Sequence, residues 1–220
     1  FYGSIISYEK QGAKVLTQTW CMNQSGIYKL DFLREFNILF NEIPGASYQD
    51  TGFWFQVFTL AHSIYFVKEA HYCYRRDNPN SSSVSKAKVY CICEEYDFMR
   101  DFLKRYPKIE LETAKISTYL RFKGYVWNLN RIAQEFKLEF LQRIQQDFKE
   151  LEAKGELDWS YFDALQSAKL KRILKDPKEY YQDKCLPRPL RLLFKIQKPL
   201  KLFLNLIKNQ RNIDGRKFTN

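Results

Sequence analysis

Glycine, proline and histidine are scarce in this sequence of 220 residues, with eight, seven and two residues respectively. The scarcity of glycine and proline argues against long flexible linkers. The two histidines, His62 and His71, have no partners at the spacing of metal ligands, so a zinc site is not expected. The sequence has no run of 18 uninterrupted apolar residues, which argues against a membrane-spanning helix.

Cysteine usage and aromatic content narrow the class of protein further. Five cysteines at irregular spacing, an odd number, favour a reducing compartment over a disulfide framework. A chain that is 45% hydrophobic and 17% aromatic can bury a core, which excludes wholesale disorder. The sequence begins at Phe1 without the charged and apolar regions of a secretory signal, so we expect a piece of a longer protein.

The positive charge is concentrated at one end of the chain. Residues 1–85 carry seven basic and seven acidic side chains, and residues 86–185 carry 20 and 17. Residues 186–220 carry nine basic side chains and one acidic, and so hold most of the net charge of +11. A basic terminal segment predicts an anionic partner, either phospholipid or nucleic acid.

The first 85 residues mix the patterns of strands and helices. Residues 13–20 contain Val15, Leu16 and threonines, and are predicted to form a short strand or an extended lead-in. Residues 28–36 place apolar side chains at helical spacing. Asp50 precedes apolar residues at helical spacing, which predicts an amphipathic helix of about three turns with Asp50 as candidate N-cap. Two short strands are predicted at 64–67 and 71–74, and a polar loop at 77–83.

After residue 85 the patterns become helical throughout. The apolar periodicity predicts helices at 86–106, 110–134, 138–154 and 161–175, with Pro107, Gly155 and Pro177 between them. We therefore expect a helical bundle over residues 86–185.

Residues 186–220 form a basic amphipathic tail by pattern. Between 190 and 208 the polar residues recur at helical spacing and leave a wide face of Leu, Ile and Phe. That pattern is typical of a helix lying in the plane of an anionic membrane. A helix packed against the bundle with its basic edge in water would show the same pattern. Nucleic acid is the least favoured partner, because the basic residues alternate with leucines and not with residues that read bases.

Three ordered segments of the first half resemble a known family. They are WCMNQSGIYKLDFL at 20–33, FNEIPGASYQDTGFWF at 40–55 and YRRDNPNSS at 74–82. In this order and at these distances they are similar to the second half of the bacterial family 2 glycosyltransferases of GT-A fold, which build cell-surface polysaccharides.

The resemblance implies a catalytic base. In that family an acidic residue just before a helix, usually in a Glu-Asp pair, deprotonates the acceptor hydroxyl, and the matching pair here is Gln49-Asp50. Backbone N–H groups at a helix N-terminus are expected to keep the carboxylate of Asp50 ionised. Gln49 departs from the commoner Glu. Taken without the resemblance, Asp50 is better explained as a helix cap.

The resemblance also implies a set of substrate contacts. The candidates are Trp20, Tyr48, Gln49, Trp54, Arg75, Arg76 and Ser81. The two arginines can neutralise a diphosphate or an acceptor phosphate, or can be ordinary surface residues on a solvated turn. The three aromatic residues can stack on a sugar ring, or can belong to the core.

The implied fold is α/β for residues 1–85, a partial GT-A domain without its nucleotide-binding half, followed by the all-α extension. In the family, that half binds the nucleotide sugar together with Mg²⁺ or Mn²⁺ held by an Asp-x-Asp motif. This sequence has neither Asp-x-Asp nor a glycine-rich nucleotide loop, so donor and metal sites are expected outside it. We expect transfer, with inversion, to a cell-surface glycan or lipid-linked acceptor at the cytoplasmic face of the membrane. The alternative is a non-catalytic helical module that binds a membrane or a partner.

Overall fold

The protein is predominantly helical. The computed structural model describes residues 1–19, 22–43, 47–75, 77, 88–192 and 194. Helices account for 67% and strands for 3% of the structure, and the strands form one small two-stranded sheet. The α/β, GT-A-like architecture expected for residues 1–85 is therefore wrong. Most of the apolar stretches in this half pack as short helices or against other helices, and few of them pair as strands.

The first half contains two strands and four α-helices among the described residues, together with one 3-10 turn at Asn23–Ser25. In chain order they are β1 (Ile5–Ile6), α1 (Tyr8–Gln11), α2 (Ala13–Thr17), α3 (Leu30–Glu35), α4 (Gln49–Leu60) and β2 (Ile64–Tyr65). β1 pairs antiparallel with β2, with Ile5 opposite Tyr65 and Ile6 opposite Ile64. The helix expected at 28–36 is confirmed by α3, and the strand expected at 64–67 is confirmed over two residues.

The stretch predicted as a strand at 13–20 begins instead with helix α2. Its threonine hydroxyls donate back to carbonyl oxygens four residues earlier, Thr17 Oγ1 to Ala13 at 2.9 Å and Thr19 Oγ1 to Val15. Through these bonds the hydroxyl groups of β-branched threonines find acceptors in or just after a helix. Val15 and Leu16 are completely buried where α2 meets α4 and α6, a later helix described below. Burial against other helices therefore overrides the strand preference of the local sequence.

Helix α4 is enclosed on nearly all sides. Nine of its twelve residues are buried, from Thr51 to Thr59, so the expected helix is confirmed but its expected amphipathic character is wrong. Polar side chains within it find partners inside the protein. The amide of Gln56, for example, donates from Nε2 to the carbonyl oxygens of Leu39 at 2.8 Å and Gly52 at 3.1 Å. Such internal pairing lets a helix lie inside a core without a solvent face.

Residues 71–74, predicted as a strand, form none. Tyr72 and Tyr74 are exposed there, and β2 already pairs with β1 in the described part of the chain. The apolar and aromatic composition that predicted this strand is therefore on the surface.

The second half contains, among the described residues, the four predicted helices and one further short α-helix. They are α5 (Cys91–Leu103), α6 (Pro107–Arg131), α7 (Lys137–Ala153), α8 (Ala164–Lys175) and α9 (Pro177–Tyr180). Pro107 and Pro177 occupy the first turns of α6 and α9, where a missing N–H costs no hydrogen bond. Asp163 and Gln166 form a capping box that starts α8. Helix α5 packs along both α4 and α6 and so joins the two halves.

A buried polar network ties α5, α6 and α7 together. Asp147 on α7 lies at its centre and accepts hydrogen bonds from Tyr125 Oη and Arg143 Nε, both at 2.6 Å. The guanidinium of Arg121 lies 3.8 Å from Asp147 and donates to Asp97 at 2.6 Å. Tyr125, Arg121 and Asp147 are all buried, so these groups compensate one another where water does not reach them.

Only the beginning of the basic tail lies within the described residues. Residues 188–192 are helical, and Leu190, Leu192 and Phe194 are exposed. The rest of the predicted helix at 190–208 lies outside the described residues. None of the helices in the described ranges is both long enough and apolar enough to cross a membrane.

Candidate active site

Asp50 lies in the first turn of α4. The residue before the helix is Tyr48, which has a left-handed backbone with φ of 69° and makes no capping hydrogen bond through its side chain. The predicted position of Asp50 as N-cap is therefore shifted by two residues. Backbone N–H groups of Asp50 and Thr51 hydrogen bond to the Asp50 carboxylate and lower its pKa. Burial raises it by more, so the net shift of the pKa of Asp50 is upward.

Glu95 on α5 is completely buried beside the same turn. Its Oε1 accepts the backbone N–H of Gly52 at 2.9 Å, and its Oε2 accepts Nδ2 of Asn41 at 3.1 Å. Burial and the nearby charge of Asp50 raise the pKa of Glu95 to about 7, although the two hydrogen bonds lower it. A second carboxyl group, from another helix, thus lies near the start of α4.

Gly52 makes this approach possible. A Cβ atom at position 52 would lie 2.2 Å from Oε1 of Glu95 and 3.0 Å from the ring of Phe98. Only a residue without a side chain lets the carboxylate of Glu95 reach the backbone of α4.

Gln49 holds the segment that leads into the helix. Its Nε2 donates to the carbonyl oxygen of Asn41 at 2.8 Å, while the side chain of Asn41 donates to Glu95. A glutamate at position 49 would oppose its oxygens to the carbonyl oxygen of Asn41, so this contact requires the amide. The departure from the commoner Glu therefore has a local structural reason.

Tyr48 is fixed from the other side by α6. Its hydroxyl donates to Oδ1 of Asn128 at 2.7 Å, and the guanidinium of Arg131 lies 5.1 Å from the centre of its ring. The indole of Trp127 meets Tyr48 edge-on at 5.6 Å, and half of its surface is exposed. Tyr48, Trp127 and Arg131 thus form an aromatic and cationic border next to the turn that carries Asp50.

The remaining predicted site residues do not join this group. Trp54 is buried and donates from Nε1 to Thr19 Oγ1 at 3.2 Å, which agrees with a core role. Arg75 is exposed and pairs with Asp77 at 2.8 Å. Trp20, Arg76 and Ser81 lie outside the described residues. Tyr48, Gln49 and Asp50 are therefore the predicted residues that the structure brings together.

Sequence reasoning missed Glu95, Asn41, Asn128 and Trp127. A signal for Glu95 was available, because Ile92, Glu95, Met99 and Phe102 recur at helical spacing and place an acidic residue on an apolar face. An acid on such a face is rarely buried unless it has partners. Those partners come from residues 41 and 52, and no local pattern indicates that pairing.

Comparison of the chain with protein-family models, with curated proteins and with solved structures found no match in any of the three. Groups of three or more His, Cys, Asp or Glu side chains able to hold a metal ion are absent from the described ranges. The function is therefore inferred from the chemistry of Asp50 and its neighbours.

Proposed function

We propose that the chain supplies the acceptor side of an inverting sugar transferase, with Asp50 as general base. The observation that carries this proposal is the half-buried carboxylate of Asp50, which lies at the start of an enclosed helix and has a raised pKa. A carboxylate with a raised pKa accepts a proton more readily, as general base catalysis at neutral pH requires. The proposal concerns this chemistry and includes no α/β fold for residues 1–85.

The transfer requires one proton acceptor on this chain. The acceptor hydroxyl attacks the anomeric carbon of a nucleotide sugar from the face opposite the nucleotide, and its proton passes to Asp50. The bond from the anomeric carbon to the diphosphate breaks, and the nucleoside diphosphate leaves with the electron pair. The expected Mg²⁺ or Mn²⁺ would neutralise that leaving group in the complete enzyme, with ligands outside this chain.

The border beside Asp50 suits a glycan acceptor. A half-exposed indole can stack on the apolar face of a sugar ring, and the guanidinium of Arg131, 5.3 Å from the centre of the indole, adds positive charge beside it. Tyr48 contributes its ring and its fixed hydroxyl to the same edge. These features support a cell-surface glycan or a lipid-linked sugar as the acceptor.

Asp50→Asn tests the proposal in the complete protein. Turnover should fall by about 10²-fold or more, because the amide cannot accept the hydroxyl proton. The measurement is release of nucleoside diphosphate from a panel of nucleotide sugars, with bacterial surface oligosaccharides as acceptors. Asp101→Asn is the matched control, since Asp101 is an exposed residue of α5 that pairs only with the surface Lys104 among the described residues. Near-normal turnover of Asp50→Asn, or no release by the wild-type protein with any donor, would overturn the proposal.

The tail is proposed to hold the enzyme at the cytoplasmic face of an anionic membrane. Exposed Leu190, Leu192 and Phe194 at its start, followed by a basic sequence, support this location. Each basic residue near an anionic surface contributes roughly 1 kcal/mol, and salt screens that attraction but not apolar insertion. The same contacts would serve the alternative function, a non-catalytic helical module bound to a membrane.

Flotation with liposomes measures this prediction. The complete chain should float with anionic vesicles, less with neutral ones, and should be partly released at high salt. A chain truncated after residue 185 should stay at the bottom of the gradient. Equal flotation of both chains would show that the tail packs against the bundle.

A further inference from the structure

We propose that Glu95 is the positioning residue for Asp50, holding the first turn of α4 in place through its buried, ionised carboxylate. The inference rests on the proposed function and adds to it a residue that lies 45 positions away in the sequence and on another helix. Glu95 does not reach the acceptor, because it is completely buried, and therefore acts only through the turn it holds.

The contacts of Glu95 fix the turn from two directions. Oε1 accepts the N–H of Gly52, two residues beyond Asp50, and Oε2 accepts the side chain of Asn41. Asn41 in turn accepts the amide of Gln49, the residue just before Asp50. One carboxylate therefore restrains the chain on both sides of Asp50, directly at Gly52 and through Asn41 at Gln49.

The absence of a side chain at position 52 shows how closely the two helices meet. Oε1 of Glu95 occupies the space in which any other residue would place its Cβ atom, 2.2 Å from it. Glycine within a helix costs about 1 kcal/mol relative to alanine. Glycine at position 52 therefore weakens helix α4 but allows the contact between Glu95 and the backbone of its first turn.

Only the ionised carboxyl group of Glu95 satisfies both donors. Each oxygen of a carboxylate accepts one of the two N–H groups, whereas a protonated oxygen becomes a donor and faces another donor. Asp50 on α4 is the charged group that acts on Glu95 from the packed elements, and the loop before α4 contributes the neutral amide of Asn41. Protonation of Glu95 therefore loosens one of the two restraints.

The sign of the pH dependence follows from the pKa of Glu95, which burial raises from 4.5 to about 7. Between these values the folded protein holds a proton that the unfolded chain has already released. Thermal stability should therefore fall as pH rises from 4.5 to 7. The first turn of α4 should become better ordered over the upper part of this pH range, as Glu95 ionises.

NMR on the 220-residue chain tests the positioning without any assay of activity. The backbone amide shifts of Asp50, Thr51 and Gly52 should titrate together with an apparent pKa of about 7, following Glu95. In Glu95→Gln, an isosteric variant that cannot ionise, this titration should disappear, and the loss of melting temperature above pH 4.5 should become smaller, with Asp50 supplying the remainder. Glu94→Gln is the matched control, since Glu94 is the exposed neighbour on the same helix. Amides of the first turn that do not titrate with Glu95 would overturn the inference.

Kinetics of the complete protein separate the charge of Glu95 from its position. Glu95→Gln should lower turnover by roughly tenfold at pH 8, because its amide N–H faces one of the two donors that the carboxylate satisfies. In the wild-type protein, turnover should fall as pH drops below about 7, because Glu95 takes up a proton. In Glu95→Gln this fall should move to lower pH, because only Asp50 then titrates. Glu95→Asp keeps the charge but withdraws it by one methylene, and should lower kcat by roughly ten- to hundredfold with little change in KM.

Failure of the inference about Glu95 and failure of the proposed function would give different results. An unchanged acidic limb in Glu95→Gln, together with loss of turnover in Asp50→Asn, would overturn the role of Glu95 and leave the proposed function standing. Full turnover of Asp50→Asn would overturn the proposed function, while the amide titration would still decide whether Glu95 positions the turn.

Discussion

Asp147→Ala should lower the free energy of unfolding by about 3–5 kcal/mol, the scale of removing one partner from a buried ion pair. Asp147 accepts the hydroxyl of Tyr125 and pairs with Arg143, and it lies 3.8 Å from Arg121. Its removal leaves the buried hydroxyl of Tyr125 without this acceptor. The buried cation of Arg121 then keeps only Asp97 among its ion-pair partners in the described residues, and the side chain of Asp97 is half exposed.

Urea denaturation at pH 7 followed by circular dichroism measures this difference. Asp101→Ala is the control, because Asp101 is an exposed residue in the same bundle with a surface pair to Lys104. That variant should change stability by no more than about 1 kcal/mol. Equal effects of the two substitutions would mean that water reaches the network and that it does not hold α5, α6 and α7 together.

Gly52→Ala should destabilise the protein by about 3 kcal/mol at pH 8, where Glu95 is ionised. Helix propensity alone predicts the opposite sign, since alanine is favoured over glycine by about 1 kcal/mol. The new Cβ atom would lie 2.2 Å from Oε1 of Glu95 and would displace that carboxylate from the backbone N–H. A buried charge would then lose one of its two hydrogen bonds.

A double-mutant cycle with Glu95→Ala isolates this contact. In the Glu95→Ala background the carboxylate is gone and the ring of Phe98, at 3.0 Å, is the remaining close neighbour. The cost of Gly52→Ala should therefore shrink by at least about 1 kcal/mol in that background. Equal costs in both backgrounds would show that Gly52 serves a different contact.

Local periodicity predicted the bundle and, in the first half, helices α3 and α4, but it did not predict the helix at the start of residues 13–20. Helices α5 to α8 have runs of apolar residues at helical spacing that are long enough to be unambiguous. Residues 13–20 are short, and Val15 and the threonines favour a strand there. The threonine hydroxyls bond within the helical turn instead, and Val15 packs between α4 and α6. Short apolar runs take the structure that their distant neighbours impose.

The site was predictable in part for a similar reason. Tyr48, Gln49 and Asp50 are adjacent in sequence, so a pattern that identifies one of them identifies all three. Glu95 reaches the same turn from 43 residues beyond Gly52, and that pairing depends on how α4 packs on α5. The direction of the pKa shift of Asp50 likewise depends on burial, which the sequence around it did not reveal.

The side chain of Asn128 on α6 binds two parts of the chain that are far apart in sequence. Its Oδ1 accepts the hydroxyl of Tyr48, and its Nδ2 donates to the carbonyl oxygen of Val89, a buried residue just before α5, at 2.8 Å. One side chain of α6 thus anchors both the residue that precedes α4 and the segment that leads into α5, so loss of Asn128 would release two parts of the chain that lie 41 residues apart.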